Sequence, residues 1–530
     1  MIREEINNLV EKLIKELQKA KKLPKFDISE IKLERPEEKT HGDYATNIAL
    51  QIAKIAKKPP MEIANELSLK LKAQDEKLFD KIEVVSPGFI NFFLSKEYLQ
   101  RQIEDILEKK DKFGQLEIGK NQKVNIEFIS ANPTGPLHIG HGRGAFFGDT
   151  ISDILEKAGF KVTREFFIND AKKSAQIKEL GKTALGKGTV YLNGYLKKKI
   201  QILKSKIQKC KNEGEAGYLM AQEINKDIKD FIENRLKIKF NNWISEEDLY
   251  QKNKIDKIYN LLKKKNLIYQ KEAAIWLKNS KFGNKKDWVV IRETGEPTYL
   301  LPDIAYHKNK FDRKFNKIIN IWGADHQGHV GKIKAAAKIL NYKGDLDILI
   351  SQVVRLKKGK ISKRKGEIVT LEWLIGKVGL DAVRFFYLTK SLDAQMEFDV
   401  ELAKEKSSKS PVYYVQYAHA RICSILRKAG GLKFQASDFR PLTHQSELTL
   451  IKQLIRLSEV VEDTARDYQV QRLPQYALNL ATVFHQFYRD CRVIAEDKDL
   501  TKARLSLVFA TKIVLENTLN LMGISAPEKM

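Results

Sequence analysis

A chain of 530 residues argues for three or four domains rather than one compact unit, and no run of about 18 apolar residues offers a membrane span. Hydrophobic content of 42% with 31% charged residues is that of a soluble globular protein, and Cys210, Cys423 and Cys491, lacking any C-x-x-C pair, speak against a disulfide framework or a thiolate zinc site and fit a reducing cytoplasm. The excess of 95 Lys+Arg over 68 Asp+Glu, a formal charge of +27, favours a polyanionic partner, although a lysine-rich proteome would raise the charge in the same way.

Met1 to Lys22 places Ile2, Ile6, Leu9, Leu13 and Leu17 on one face of an amphipathic helix, and its interleaved charges exclude a signal peptide. Asp43 to Asn47 is read as the start of a helix, Pro59-Pro60 as the lead into another, and 82–85 and 89–94 as strands. Val124 to Ile129 is a predicted buried strand, followed by a turn holding Pro133, Gly135 and Pro136. A helix with apolar Ala145, Phe146, Ile151, Ile154 and Leu155 comes next. A helix start after a strand turns unpaired amides and the positive end of its dipole toward a ligand, which suits phosphate. His138 and His141, three apart, share a face there, and Gly140 leaves room for a flat base or ribose.

Arg164 to Asp170 reads as the second strand and its exit, with Asn169 and Asp170 in a ligand-facing loop. A lysine-rich, mostly helical insertion occupies 172–240, and the chain is expected to re-enter the sheet through 274–277 and 288–291. Gly295 to His307 is a turn, an extended segment and a helix starting near Asp303. Ile318 to Gln327 is a buried strand ending in a polar cluster, where His326 and His329 lack further ligands for zinc. Ile348 to Leu356 is the last expected strand, ahead of the basic loop Lys357 to Gly366. Strand–helix alternation implies a parallel sheet with ligand at its carboxyl ends. From about residue 410 the chain reads as helices. Tyr414, Tyr417 and Arg421, at i, i+3 and i+7, share a face on which splayed-out RNA bases would stack, and at least two of the three are expected to be exposed.

The run Ser-Ala-Asn-Pro-Thr-Gly-Pro-Leu-His-Ile-Gly-His-Gly-Arg-Gly-Ala, Ser130 to Ala145, resembles the first signature of class I aminoacyl-tRNA synthetases in the form carried by arginyl-tRNA synthetases. Lys360-Ile-Ser-Lys-Arg364 resembles the second signature, K-M-S-K, with Ile361 in place of methionine, and His41 to Asn47 with Pro87 to Phe93 resemble the family's N-terminal additional domain. The resemblance implies an α/β multidomain protein: an α+β tRNA-elbow domain over 1–115, a Rossmann-like catalytic domain over 116–405, and an all-α anticodon-binding domain over 406–530. It implies activation of L-arginine by ATP, which brings its own Mg2+, and transfer of arginine to the 3′ end of tRNA(Arg) by a cytoplasmic monomer without a protein-bound metal.

Carried over residue by residue, the resemblance assigns His138, His141, Lys360 and Lys363 to neutralising phosphate charge. It adds Gly140, Gly323, Asp325, Val354 and Ser362 to the ATP site. Arginine falls to Glu127, Asn132, His138, Tyr299, Asp303 and Gln327, where carboxylates and amides suit a planar five-donor cation. For tRNA it points to Phe89 and Asn91 at the elbow, and to Tyr414, Tyr417, Arg421 and Met530 at the anticodon loop. Leu301-Pro302, Ile361 and Lys365 depart from the family pattern, the first pair bearing on the approach to Asp303. Another class I synthetase or H-I-G-H nucleotidyltransferase, and a tRNA-binding paralogue without catalysis, are the competing readings.

Overall fold

Five parallel strands, β1 (Lys123–Glu127), β2 (Lys161–Ile168), β3 (Asn242–Ser245), β4 (Lys317–Gly323) and β5 (Asp345–Ser351), lie in the order β5-β4-β1-β2-β3 in the computed structural model. The model describes all residues except 28–29, 75–76, 283–285, 358–368 and 431–437. Val124, Ile126, Phe166, Ile318 and Ile319 are fully buried, as strands covered on both faces require. Helix α1 (Ile139–Lys157) links β1 to β2 and buries Ala145, Phe146, Ile151, Ile154 and Leu155.

Several expected elements shift. Strand β1 stops at Glu127, because Ile129 and Ser130 adopt positive φ of 67° and 39°. That conformation is strained for a β-branched residue and recurs where a chain is bent sharply at a site. The strand that re-enters the sheet is β3. Segments Ala274–Leu277 and Trp288–Ile291 instead pair antiparallel in a separate three-stranded sheet with Ile268–Lys271. A second apolar cluster that includes Leu277 and Val290 supports that sheet. The expected last strand divides: β5 ends at Ser351, and Val354–Leu356 pairs with Met396–Phe398.

Helix α2 (Glu246–Gln251) follows β3 directly. Helix α3 (Leu300–Asp312) begins three residues earlier than expected, because Leu300 and Leu301 are buried in that second cluster and Pro302 falls in the first turn, where its missing N–H costs nothing. Leu301 and Pro302 therefore anchor the helix rather than line the approach to Asp303.

In the N-terminal unit, helices Ile2–Lys19, Ile48–Ala56, Pro60–Gln74 and Lys96–Lys109 accompany a four-stranded antiparallel sheet. Tyr44–Thr46 is a strand of that sheet, not a helix start: buried Tyr44 and Thr46 alternate and pair with Phe92 and Ile90, so the helix waits until Ile48. Over 172–240 lie helices Ala175–Ala184, Gly194–Ile207 and Glu213–Asp230, capped by Ser174, Asn193 and Asn212.

The C-terminal bundle contains α4 (Pro411–Lys428), Gln445–Leu454, Leu457–Asp467, α5 (Arg472–Asp490) and α6 (Lys498–Leu521). Arg384 joins it to the centre, donating to Asp149 of α1 (2.8 Å), to the Leu236 carbonyl (2.7 Å) and to the Met522 carbonyl (3.2 Å). Gly523 (φ 62°) packs on it, and a Cβ there would lie 2.2 Å from the guanidinium. Among the described residues no helix is long and apolar enough to cross a membrane.

Candidate active site

His138 is the N-cap of α1 and His141 its third residue, and the two form a reciprocal cap. The His138 amide donates to Nδ1 of His141 and the Gly140 amide to Nδ1 of His138, each at 3.0 Å, with the rings stacked 3.7 Å apart. Gly140 is required by this stack itself, since a Cβ would lie 2.8 Å from Cε1 of His138. Burial lowers the pKa of His138 against the pull of Asp325, and burial with the neighbouring His138 lowers that of His141 to about 3. Both rings are thus neutral, accept at Nδ1 and carry hydrogen at Nε2 as a donor. The start of α1 is also pinned from outside: the Ile139 amide donates to the Val369 carbonyl (3.0 Å), the Leu371 amide to the Leu137 carbonyl (2.8 Å), and Tyr387 Oη to the Ile139 carbonyl (2.7 Å). Val369 directly follows 358–368, so Lys360, Ser362 and Lys363 lie outside the described residues, as do Ile361 and Lys365.

At the end of β4 and just beyond it, Gly323, Asp325 and Gln327 are exposed. Val354 is buried at 6% exposure, which leaves only its backbone for a nucleotide. Asp170 does not face a ligand. It is fully buried, accepting from Ser245 Oγ (2.8 Å), the Glu247 amide (3.1 Å) and Gln222 (2.9 Å), and so ties the exit of β2 to α2 and the insertion.

Asn132 and Tyr299 are exposed, and the Asp303 side chain, one third exposed, sits 3.8 Å from Nδ1 of His329. Glu127, expected to contact arginine, is 4% exposed and engaged through both oxygens, with Ser130 Oγ (3.0 Å) and Lys310 Nζ (2.6 Å). A further acidic residue near the site was not singled out from sequence. Glu246, the first of α2, is buried, and burial followed by the charges of Asp303 and Asp170 raises its pKa to about 8. In sequence, Ser245-Glu-Glu-Asp248 reads as an ordinary acidic first turn, which it also is, since Ser245 caps Asp248. Its arrival directly after a short strand at the end of the insertion was the available signal. Among the described residues no group of three or more His, Cys, Asp or Glu could hold a metal ion.

For the polynucleotide, Phe89 is 39% exposed whereas Asn91 is 3% exposed, between Ala45 and Glu83 in the middle of its sheet, and offers no side-chain surface. Of the three residues on α4, of which at least two were expected to be exposed, only Tyr417 is; Tyr414 and Arg421 are half-buried against α5. Arg421 donates to Tyr417 Oη (2.6 Å) and lies 5.4 Å from the ring centre of Tyr488, while Tyr414 packs 5.1 Å from His485. Tyr488, 42% exposed, extends the platform and was not anticipated, because only the bundle brings it next to Arg421. Exposed Met530 ends a tail held on α4 by His419 with the Pro527 carbonyl (2.9 Å) and by Arg427 with the Glu528 carbonyl (3.2 Å).

Three family models match in order: arginyl tRNA synthetase N terminal domain over 4–94, tRNA synthetases class I (R) catalytic domain over 102–178 and 193–391, and DALR anticodon binding domain over 415–530. The chain is 42% identical over 532 residues to arginine–tRNA ligase 1 of Halalkalibacterium halodurans, and 41% identical over 534 residues to arginine–tRNA ligase of Bacillus subtilis, with 95% of each chain covered in both cases. Its fold is that of the Thermus thermophilus arginyl-tRNA synthetase structure, with a TM-score of 0.79, 22% identity and full coverage of both chains. An α1 start capped by its own two histidines, with buried carboxylates at the neighbouring strand ends, is thus set in a chain that matches one family from end to end: it belongs to the arginyl-tRNA synthetases of class I.

Proposed function

We propose that the chain is an arginine–tRNA ligase that activates L-arginine with ATP and passes it to the 3′ end of tRNA(Arg). The observation that supports the amino-acid assignment is the acidic pair Glu246 and Asp303: the charge of Asp303 reaches buried Glu246 and helps raise its pKa, and two such groups at the carboxyl edge of the sheet would take a cation in a protein of net charge +27. Tyr299, Asn132 and Gln327, exposed nearby in the same strand exits and helix start, supply the remaining polar contacts.

Arginine's carboxylate attacks the α-phosphorus, an oxygen–phosphorus bond forms and pyrophosphate leaves. Charge building on the phosphate oxygens meets the Nε2 hydrogens of His138 and His141, donors held in place before ATP arrives. Lys360 and Lys363, in the basic segment that precedes Val369 in sequence, take the same task, and Mg2+ enters with ATP. A ribose hydroxyl at the tRNA terminus then attacks the arginyl carbonyl and releases AMP, with nothing attached to the protein. We read 1–115, with Phe89 at its surface, as the elbow domain and 406–530, with Tyr414, Tyr417, Arg421 and Met530, as the anticodon-binding domain, in a cytoplasmic monomer.

ATP–pyrophosphate exchange over the twenty amino acids, with and without tRNA, tests this. Exchange with arginine alone supports it; exchange with another amino acid, or none under either condition, overturns it.

A further inference from the structure

A polar row crosses the interior of the sheet. Asn320 in β4 is the register partner of Glu127 in β1, Glu127 of Glu165 in β2, and Glu165 of Asn242 in β3. Glu127, Glu165 and Asn320 are 4%, 0% and 0% exposed. Buried carboxylates persist only where they are paired and hydrogen-bonded, and here every cation comes from α3 or the residue that caps it. Lys310, itself fully buried, donates to Glu127 Oε2 (2.6 Å) and Asn320 Oδ1 (2.7 Å). Arg313 Nη2 and Tyr306 Oη reach Glu165 Oε1 at 2.9 and 2.8 Å. Burial alone would raise the Glu165 pKa, but Arg313 and Lys310 hold it below the ordinary value.

The row continues to the pocket. The Asn320 amide meets Nε2 of His307 at 2.9 Å, which places the ring hydrogen on Nδ1, 2.8 Å from the Asp303 carbonyl. One connected path therefore runs from Glu127 to the peptide of Asp303, the residue assigned to the guanidinium. Two anions on the sheet face two cations on one helix, so α3 has a single favourable register: sliding by one residue moves Lys310 about 1.5 Å along the axis and turns it away from Glu127.

We propose that Lys310, through its ion pair with Glu127 and its bond to Asn320, is a positioning residue that sets the place of Asp303 and hence the fit of the pocket to a guanidinium-bearing amino acid. This rests on the ligase reading above, and it gives Glu127 a role through Lys310 rather than by direct contact with arginine.

The test is Glu127→Gln/Lys310→Met, which removes both charges at nearly constant volume and leaves no unpaired buried ion. In ATP–pyrophosphate exchange with tRNA present, the arginine KM is expected to rise about tenfold while the ATP KM stays within about twofold of the parent, as displacement of one pocket wall predicts. An unchanged arginine KM overturns the proposal, as does a parallel rise of both KM values, which would mark a general structural effect. If circular dichroism shows that the double variant does not fold, Asn320→Ala decides, since it leaves the Lys310–Glu127 ion pair and removes the relay through Asn320 from Lys310 to His307. A rise of about threefold in arginine KM alone then supports the proposal, and no rise overturns it. A parent enzyme without arginine-dependent exchange fails the ligase reading before any variant is made, and the positioning role falls with it.

Discussion

The imidazoles of His138 and His141 stack 3.7 Å apart, and each offers its Nδ1 to a backbone amide of the same helix start. The histidines of the signature cap the helix through Nδ1, which leaves Nε2 of each for the donor role proposed above.

That division is separable by substitution. His138→Asn retains an acceptor for the Gly140 amide but loses the Nε2 donor, so kcat for pyrophosphate exchange is expected to fall by roughly 10²–10³ while thermal unfolding stays near the parent. His138→Ala loses the cap as well, at about 0.5–2 kcal/mol of stability. Equal loss of stability in both variants would mean that the Asn side chain does not cap.

Glu246 predicts a pH-dependent arginine affinity. With its pKa raised to about 8, the group is protonated in the free enzyme at neutral pH and ionises as pH rises through that value. A cationic ligand favours the ionised form, so arginine should bind more tightly from pH 7 to 9 and release a proton below pH 8. Titration calorimetry in buffers of different ionisation enthalpy measures that release. Glu246→Gln should abolish it and raise the arginine KM, and proton release unaltered in that variant would point to another group.

Acid should destabilise the fold through His141 and His307, both lowered to about 3, His307 by burial and then by Lys310. Unfolded histidine takes up protons near pH 6.5 whereas these two do not, so the unfolded state binds more protons and stability falls as pH drops from about 6.5 toward 3. Melting temperatures at pH 7.5, 6 and 5 should decline stepwise, and less steeply in His307→Gln. A melting temperature independent of pH over this range would contradict the buried neutral state.

On the anticodon platform, Tyr488→Ala should weaken tRNA binding by about 1–3 kcal/mol, the worth of one stacked base, and leave ATP KM unchanged. Filter binding at fixed salt reads this. Affinity equal to that of the parent would confine the contact to α4.

Much of this was legible in sequence because period and punctuation suffice locally. The Pro/Gly turn before His138 and the apolar stripe of α1 announce their elements. What failed depended on partners far along the chain. The runs at 274–277 and 288–291 are as apolar as a parallel strand, and nothing local says that they pair with each other. The helix looked as if it began near Asp303 because the buried pair Leu300 and Leu301 ahead of it reads equally well as extended. Glu127 stands out in sequence just before the first signature, but its partner Lys310 is 183 positions away, so the ion pair could not be read locally. Asn91 sits in a strand whose two faces are both covered at that point, so alternation did not reveal which way it points.

Arg384 has a mechanical consequence. Its one guanidinium holds α1 through Asp149, the end of the insertion through Leu236 and the end of α6 through Met522, while Gly523 leaves no slack beside it. Opening a cleft between the helical bundle and α1 would strip a buried ion of its acceptors. Arg384 therefore couples the bundle, α1 and the end of the insertion, so that displacing any one of the three costs the contacts of the other two.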